Sequence, residues 1–402
     1  MTINFKLKNL IAIALLVSFS SFAEESAIKS AEENNSRAPE ATAAEASISF
    51  WDLPYLKEAF IDSTPADRKD GLAVDDLVAN GGNKAIILQL AQEIADKKHG
   101  KYDSLLIARH GKLVFESYYL RGRVNLPHMQ ASATKAYTSL LVGRVMQLGY
   151  LTMADLDKPL VSFLKDLDPT KFVGGVEKIT LHKAMTMSSG LRFNEEQLKK
   201  IRKNPSQYKG LDQIQAFLEL SAPITSESQS FKYQGADPQL VMQVLDAVVP
   251  GSAKDFIKNE LLDKMGITTY SWRTDVSGLP LAGERSSMTS RAMIKLGALV
   301  INKGQWNGEQ LISAKYLASA TSGITKAAED WQPDSFNYGY FWYQTYMIVG
   351  DKSYDANIAW GGGGQHIITL EELDLIIVIT GHDREDTIMT QVSKIILPAF
   401  VK

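Results

Sequence analysis

Cysteine is absent from all 402 residues. That excludes disulfides, thiolate metal sites, a cysteine nucleophile and a lipidated N-terminal cysteine. The six histidines (His99, His110, His128, His182, His366 and His382) show no metal-ligand spacing, so no metal or other cofactor is expected. Gly-x-Ser-x-Gly is missing too, which argues against a Ser-His-Asp hydrolase of that type. A formal charge of −3 offers no basic surface for nucleic acid or an anionic membrane. The acidic pairs Asp155/Asp157 and Glu371/Glu372 read as solvated turns rather than a two-carboxylate glycosidase site.

What is present begins with an export signal over residues 1–23. Lys6 and Lys8 precede the apolar run Leu10–Val17, and Ser21-Phe22-Ala23 places small residues where a signal peptidase cuts. The run is too short to span a bilayer, which needs about 20 apolar residues. A periplasmic or secreted protein with no integral membrane segment after cleavage is expected. Residues 24–49, rich in Ala, Glu and Ser, read as a flexible tether, with order starting near Phe50-Trp51.

Apolar spacing over Lys84–Lys97 predicts an amphipathic helix. Ser104–Arg109 and Lys112–Tyr119, joined by His110-Gly111, predict a hairpin. Gln365–Leu370 and Leu375–Thr380 predict another, followed by a last helix from about Asp386 to Ile396. The middle, about 131–300, reads as mostly helical. An α+β architecture follows: an antiparallel sheet from both chain ends, flanked by helices, with an inserted helical lobe and a cleft between them. Residues 50–402 form that domain.

Ser132-Ala-Thr-Lys135 is one of several Ser-x-x-Lys matches, but the only one opening a long apolar helix; Ser26/Lys29, Ser162/Lys165 and Ser206/Lys209 lie in polar or acidic surroundings. Residues i and i+3 share a helix face, so the Lys135 amine can reach the Ser132 hydroxyl. Helix-start N–H groups can stabilise an oxyanion, and burying a lysine favours the neutral amine that serves as a base. Downstream, Tyr233 stands just before a new apolar helix, and Gly361–Gly364 opens a buried strand, where glycine marks a close approach. Gln365 and His366 follow as possible cleft residues. The aromatic run Trp331–Tyr346 reads first as a core strand and second as a binding wall. Ser188 and Ser189 read as a structural Ser-Gly turn.

The order and spacing of these segments resemble the serine β-lactamase and penicillin-binding-protein superfamily. The likeness is to its class C-like branch of esterases, D-aminopeptidases and 6-aminohexanoate-dimer hydrolases. Leu105–Glu116, Met187-Ser-Ser-Gly-Leu191, Met288–Gly297 and Asn337–Trp342 also look like family segments, and the resemblance runs from about Ser104 to Gly381. It implies a β-lactamase-like fold, Ser132 as nucleophile, Lys135 as general base and Tyr233 as proton shuttle. Backbone of the glycine strand (Gly362, Gly363, Gly364) would supply the oxyanion and substrate edge. The sequence departs from the family twice: Gly235 occupies the asparagine position of Tyr-x-Asn, and no cation precedes the glycines. These departures put a β-lactam or D-Ala-D-Ala substrate in doubt and favour an ester, or an amide, of a small acid. A non-catalytic binding or sensor protein on the same scaffold is the alternative, as is a β-lactamase or DD-peptidase.

Overall fold

A computed structural model describes residues 37–203, 207–383 and 387–401. The expected signal peptide, and the tether as far as residue 36, lie outside the described residues. The strands are β1 (Phe60–Asp62), β2 (Ala73–Val74), β3 (Tyr102–Arg109), β4 (Lys112–Tyr118), β5 (His128–Met129), β6 (Tyr270–Trp272), β7 (Ser286–Met288), β8 (Gln305–Trp306) and β9 (Glu309–Gln310). Towards the C-terminus come β10 (Thr325–Lys326), β11 (Asn337–Tyr338), β12 (Tyr343–Val349), β13 (Lys352–Gly361), β14 (Gln365–Leu370) and β15 (Leu375–Gly381).

The main sheet runs β1-β4-β3-β15-β14-β13-β12-β11-β10, with β2 added parallel to β4. Both chain ends supply its centre, where β15 pairs antiparallel with β3. β3, β14 and β15 are buried almost throughout because both faces of the sheet centre are covered, so their burial shows little alternation. The helix Ser290–Ile301 packs across β3, β14 and β15. It lies so close that a Cβ on Gly297 would stand 2.7 Å from the Ile376 side chain. That helix thus belongs to the sheet layer, and the helical lobe ends before it, earlier than residue 300. The terminal helices pack together, Lys84–Ala95 against the turn Val392–Ile396. A small second sheet, β5-β7-β6, carries the strand leading into Ser132.

The tether expectation is corrected over residues 38–49. Val124 N donates to Pro39 O (2.9 Å), Ala41 exchanges two hydrogen bonds with Asn125, and Glu45 pairs with buried Arg123 (3.1 Å). A short helix, Ala43–Ser47, is closed by a capping box between Thr42 and Glu45. Composition hides this because the segment is held by hydrogen bonds and two ion pairs, Glu45–Arg123 and Glu40–Arg68, not by apolar burial.

One ion pair ties the sheet to its covering helix. Arg291 Nε and Nη2 bind both oxygens of Glu116 on β4 (2.8 and 2.6 Å), and Nη1 reaches Asp70 (3.2 Å). Removing one member leaves the other charge buried without a partner. Arg291→Met should therefore destabilise the protein by about 3–5 kcal/mol, read by thermal or denaturant unfolding.

Candidate active site

Ser132 sits in the single 3₁₀ turn Ala131–Ala133, which runs directly into the helix Thr134–Gln147. Ala131 just ahead has φ +45°, a left-handed conformation that costs a residue with a Cβ about 1–2 kcal/mol. The neighbours brace it. Gln130 N donates to Ser286 O (2.8 Å), and Tyr137 Oη donates to the Gln130 side chain (2.6 Å). Thr134 Oγ1 donates to Ala131 O (2.7 Å).

Lys135, 5% exposed, donates from Nζ to Ser132 Oγ at 3.0 Å and to Gly283 O at 2.8 Å. Its Nζ also stands 4.7 Å from the centroid of the Tyr233 ring. Among the described residues no carboxylate forms an ion pair with it. Lys135 thus meets a hydroxyl, a carbonyl and a π face, a setting that grips an ammonium without fixing it as one half of a salt bridge. The sequence pointed to Ser132, Lys135 and Tyr233 separately, and the fold brings all three together.

Tyr233 is oriented differently from the expected shuttle geometry. It offers its ring face to Lys135. Its backbone N–H donates to Glu329 Oε1 (2.8 Å). Trp331, 53% exposed, stands edge-on to Tyr233 and to Trp360 (5.4 and 5.8 Å), and Phe336 and Tyr343 pack behind Trp360. The aromatic run therefore divides: Tyr338, Trp342 and Tyr343 are core, and Trp331 walls the cleft. Glu329 and the Gly283 carbonyl were not singled out from sequence. A carbonyl carries no residue signature, and Glu329 finds Tyr233 from 96 residues away.

The glycine strand divides too. Gly361, the last residue of β13, abuts the serine turn: a Cβ there would lie 2.1 Å from Gln130 O and 3.0 Å from Ala133 N. Gly362 has open space around it. Gly363 and Gly364 adopt left-handed φ (95° and 96°) and lie against Gly381, His382 and Tyr102. Gln365 is buried and donates to Gly381 O (2.6 Å), tying the ends of β14 and β15 together. His366 is buried and stacks beneath Trp360 (5.7 Å). Gly235 precedes the helix Ala236–Val248 with nothing near its would-be side chain.

Behind Tyr233 lies the buried Asp237. Its Oδ1 accepts from Ser189 Oγ (2.5 Å) and Gln234 Nε2 (2.8 Å), which gives the Ser-Ser-Gly turn its partner. Burial pushes its carboxyl up to about 7, against the lowering effect of those bonds. Among the described residues no helix is long and apolar enough to cross a membrane, and no group of side chains has the makings of a metal site.

An antiparallel sheet from both chain ends, a helical lobe, and a Ser-x-x-Lys helix start facing a sheet edge define the class of serine hydrolases with a β-lactamase fold. The beta-lactamase family model matches residues 88–387, and the chain belongs to that family, whose members are generally serine hydrolases. The fold is shared with a Bacillus anthracis protein assigned as a 6-aminohexanoate-dimer hydrolase (TM-score 0.60, 18% identity, 91% of this chain and 87% of that one). It is shared with a class C beta-lactamase (0.60, 15%, 79% and 96%). It is also shared with a D-stereospecific amidohydrolase from Streptomyces sp. (0.57, 15%, 78% and 98%). No curated protein sequence matches.

Two outcomes follow from this geometry. Gly361→Ala drives a Cβ into backbone and should cost about 1–3 kcal/mol in unfolding free energy, whereas Gly362→Ala should leave stability nearly unchanged. Asp237 binds its proton more tightly folded than unfolded. Its contribution is complete below about pH 4 and is lost as pH rises through about 7. Asp237→Asn should remove that decline, which amounts to about 4 kcal/mol at most, and so flatten the fall in melting temperature across this window.

Proposed function

We propose that the protein is an exported serine hydrolase that cleaves an ester, or an amide, of a small acid through an acyl-enzyme on Ser132. The observation that carries this is the 3.0 Å contact between Lys135 Nζ and Ser132 Oγ at a helix start. Acting as the neutral amine, Lys135 takes the hydroxyl proton as Oγ attacks the substrate carbonyl carbon. The Ser132 N–H and backbone at the Gly361–Gly362 end of β13 hold the oxyanion. The resulting lysinium lies over the Tyr233 ring and against Gly283 O, which stabilise it until it protonates the leaving alcohol or amine. Water repeats the sequence with the same base and frees the acid. A hydroxyl shuttle by Tyr233 would need its ring to turn from this face-on position over Lys135; in the resting geometry Tyr233 serves through its π face.

Substrate choice rests on what surrounds this pair. Trp331 and Trp360 present an aromatic wall suited to an apolar acyl or leaving group. The open space at Gly235 and the missing cation before the glycines remove the groups that hold an amide and a carboxylate in the drug-binding relatives. Uncharged esters are therefore better substrates than β-lactams. We place the enzyme in the periplasm or outside the cell, acting on small molecules and needing no cofactor.

Intact-mass analysis after a fluorophosphonate probe tests this beside turnover of p-nitrophenyl butyrate and nitrocefin. Wild type should take up one adduct and hydrolyse the ester well above nitrocefin. Ser132→Ala should lose both adduct and turnover, and Lys135→Ala should lose at least about 10²–10⁴-fold in turnover. A folded wild-type protein that takes no adduct and turns over no ester would sink the proposal.

A further inference from the structure

Four residues ahead of Ser132, His128 takes part in a buried polar cluster that the hydrolytic steps do not use. Asp103, fully buried at the start of β3, accepts from His128 Nε2 (3.0 Å) and His382 Nδ1 (2.7 Å) on one oxygen. Its other oxygen accepts from Arg121 N (2.9 Å). Burial works to raise the Asp103 carboxyl, but the bonds from the two imidazoles outweigh it and hold it below the usual carboxylate range. Asp103 is therefore an ionised acceptor.

The remaining ring nitrogens fix the two charge states. His128 Nδ1 faces the carbonyl oxygen of Met129 at 3.1 Å, and a carbonyl only accepts. With acceptors at both nitrogens, His128 fits its partners only as the imidazolium. His382 Nε2 faces Arg121 Nη1 at 3.4 Å, and a guanidinium only donates. His382 is thus the neutral tautomer, with its proton on Nδ1. Phe50 packs edge-on against His128 (4.6 Å), and Trp51 against His382 (6.0 Å), so the N-terminal segment covers the pair. The charged groups around them are Asp103 from β3, Arg121 and Arg123 from the loop after β4, and Glu45, which is bonded to Arg123.

We propose that His128 is a positioning residue for Ser132: as the imidazolium it clamps the Met129 carbonyl to Asp103 and holds the left-handed turn at Ala131. The brace continues through Gln130, whose Nε2 donates to His128 O (2.8 Å) while its own N–H is tied to Ser286. His128 touches no substrate. It acts by fixing the strand that delivers Ser132, and Asp103 fixes His128 in turn. Loss of the Nδ1 proton replaces the bond to Met129 O with a lone pair facing an oxygen, which pushes the strand off that position. This inference rests on the Ser132 reading for its catalytic consequence, but not for its structural one.

The test uses the full mature chain labelled with ¹⁵N-histidine. Imidazole nitrogens are followed by long-range ¹H–¹⁵N correlation across pH, beside p-nitrophenyl butyrate turnover and fluorophosphonate labelling, in wild type, His128→Gln and Asp103→Asn. Near neutral pH, His128 should give the doubly protonated pattern and His382 the Nδ1–H pattern. His128→Gln should lower kcat and the labelling rate together by about tenfold to a hundredfold, with KM within about twofold. Asp103→Asn, which removes the charged acceptor at Nε2, should leave His128 with one ring proton and lower kcat and the labelling rate together, as His128→Gln does. A neutral His128 at full activity, or a His128→Gln enzyme that labels and turns over like wild type, would overturn the proposal. If His128→Gln fails to fold, the paired loss of the second ring proton and of activity in Asp103→Asn decides. A wild type without labelling or turnover defeats the hydrolase reading instead. The brace is then judged on uniformly ¹⁵N-labelled chain by the Ala131 and Ser132 amide signals: a change on substituting His128 or Asp103 supports it, and invariance overturns it.

Discussion

At the cleft, the backbone of Gln130–Ala133 and the last residue of β13 meet with no side chain between them. A Cβ on Gly361 would stand 2.1 Å from Gln130 O, so the sheet and the helical lobe register on one another through this glycine. The contact brings a strand end beside the start of the serine helix, the arrangement on which the proposed oxyanion site is built. It also demands the left-handed residue at Ala131, which only over-determined surroundings can sustain. Those surroundings are Ser286 on β7, Tyr137 on the serine helix, Thr134 at its start and the His128 side of β5.

The electrostatics of the site follow from what is kept away from Lys135. The ammonium is gripped by Ser132 Oγ, Gly283 O and the Tyr233 ring, partners that carry no full charge. A carboxylate in any of these places would favour the charged amine and work against the role proposed for Lys135. The acids near the site are engaged elsewhere: Glu329 with the Tyr233 backbone and Lys232, and Asp237 with Ser189 and Gln234. They shape the Tyr233 turn without facing the amine.

A good deal of this was legible in the sequence. The hairpins of β3–β4 and β14–β15 stand at the expected residues, because unbroken β-branched and leucine runs between turn residues leave little choice. The Ser132–Lys135 pair was legible because i and i+3 are neighbours on any helix, whatever the rest of the fold. Residues 38–49 misled, since hydrogen bonds to Asn125, Val124 and Arg123 are set by partners some 80 residues away that composition does not report. The helix Ser290–Ile301 was grouped with the lobe because periodicity shows that a helix has an apolar face, but not which layer covers it.

The sequence by itself determined the elements and the local pair: strands that need two covered faces, a helix opening on serine with lysine one turn on, and glycines where backbone must come close. Tertiary structure decided which glycine approaches the serine turn, that Tyr233 shows its ring and not its hydroxyl to Lys135, and that Asp103, His128 and His382 form one cluster. The reason is range. Periodicity and i,i+3 geometry are fixed by the chain's own bonds, whereas a carbonyl such as Gly283 O or the ring of Tyr233 takes its role only from residues folded onto it.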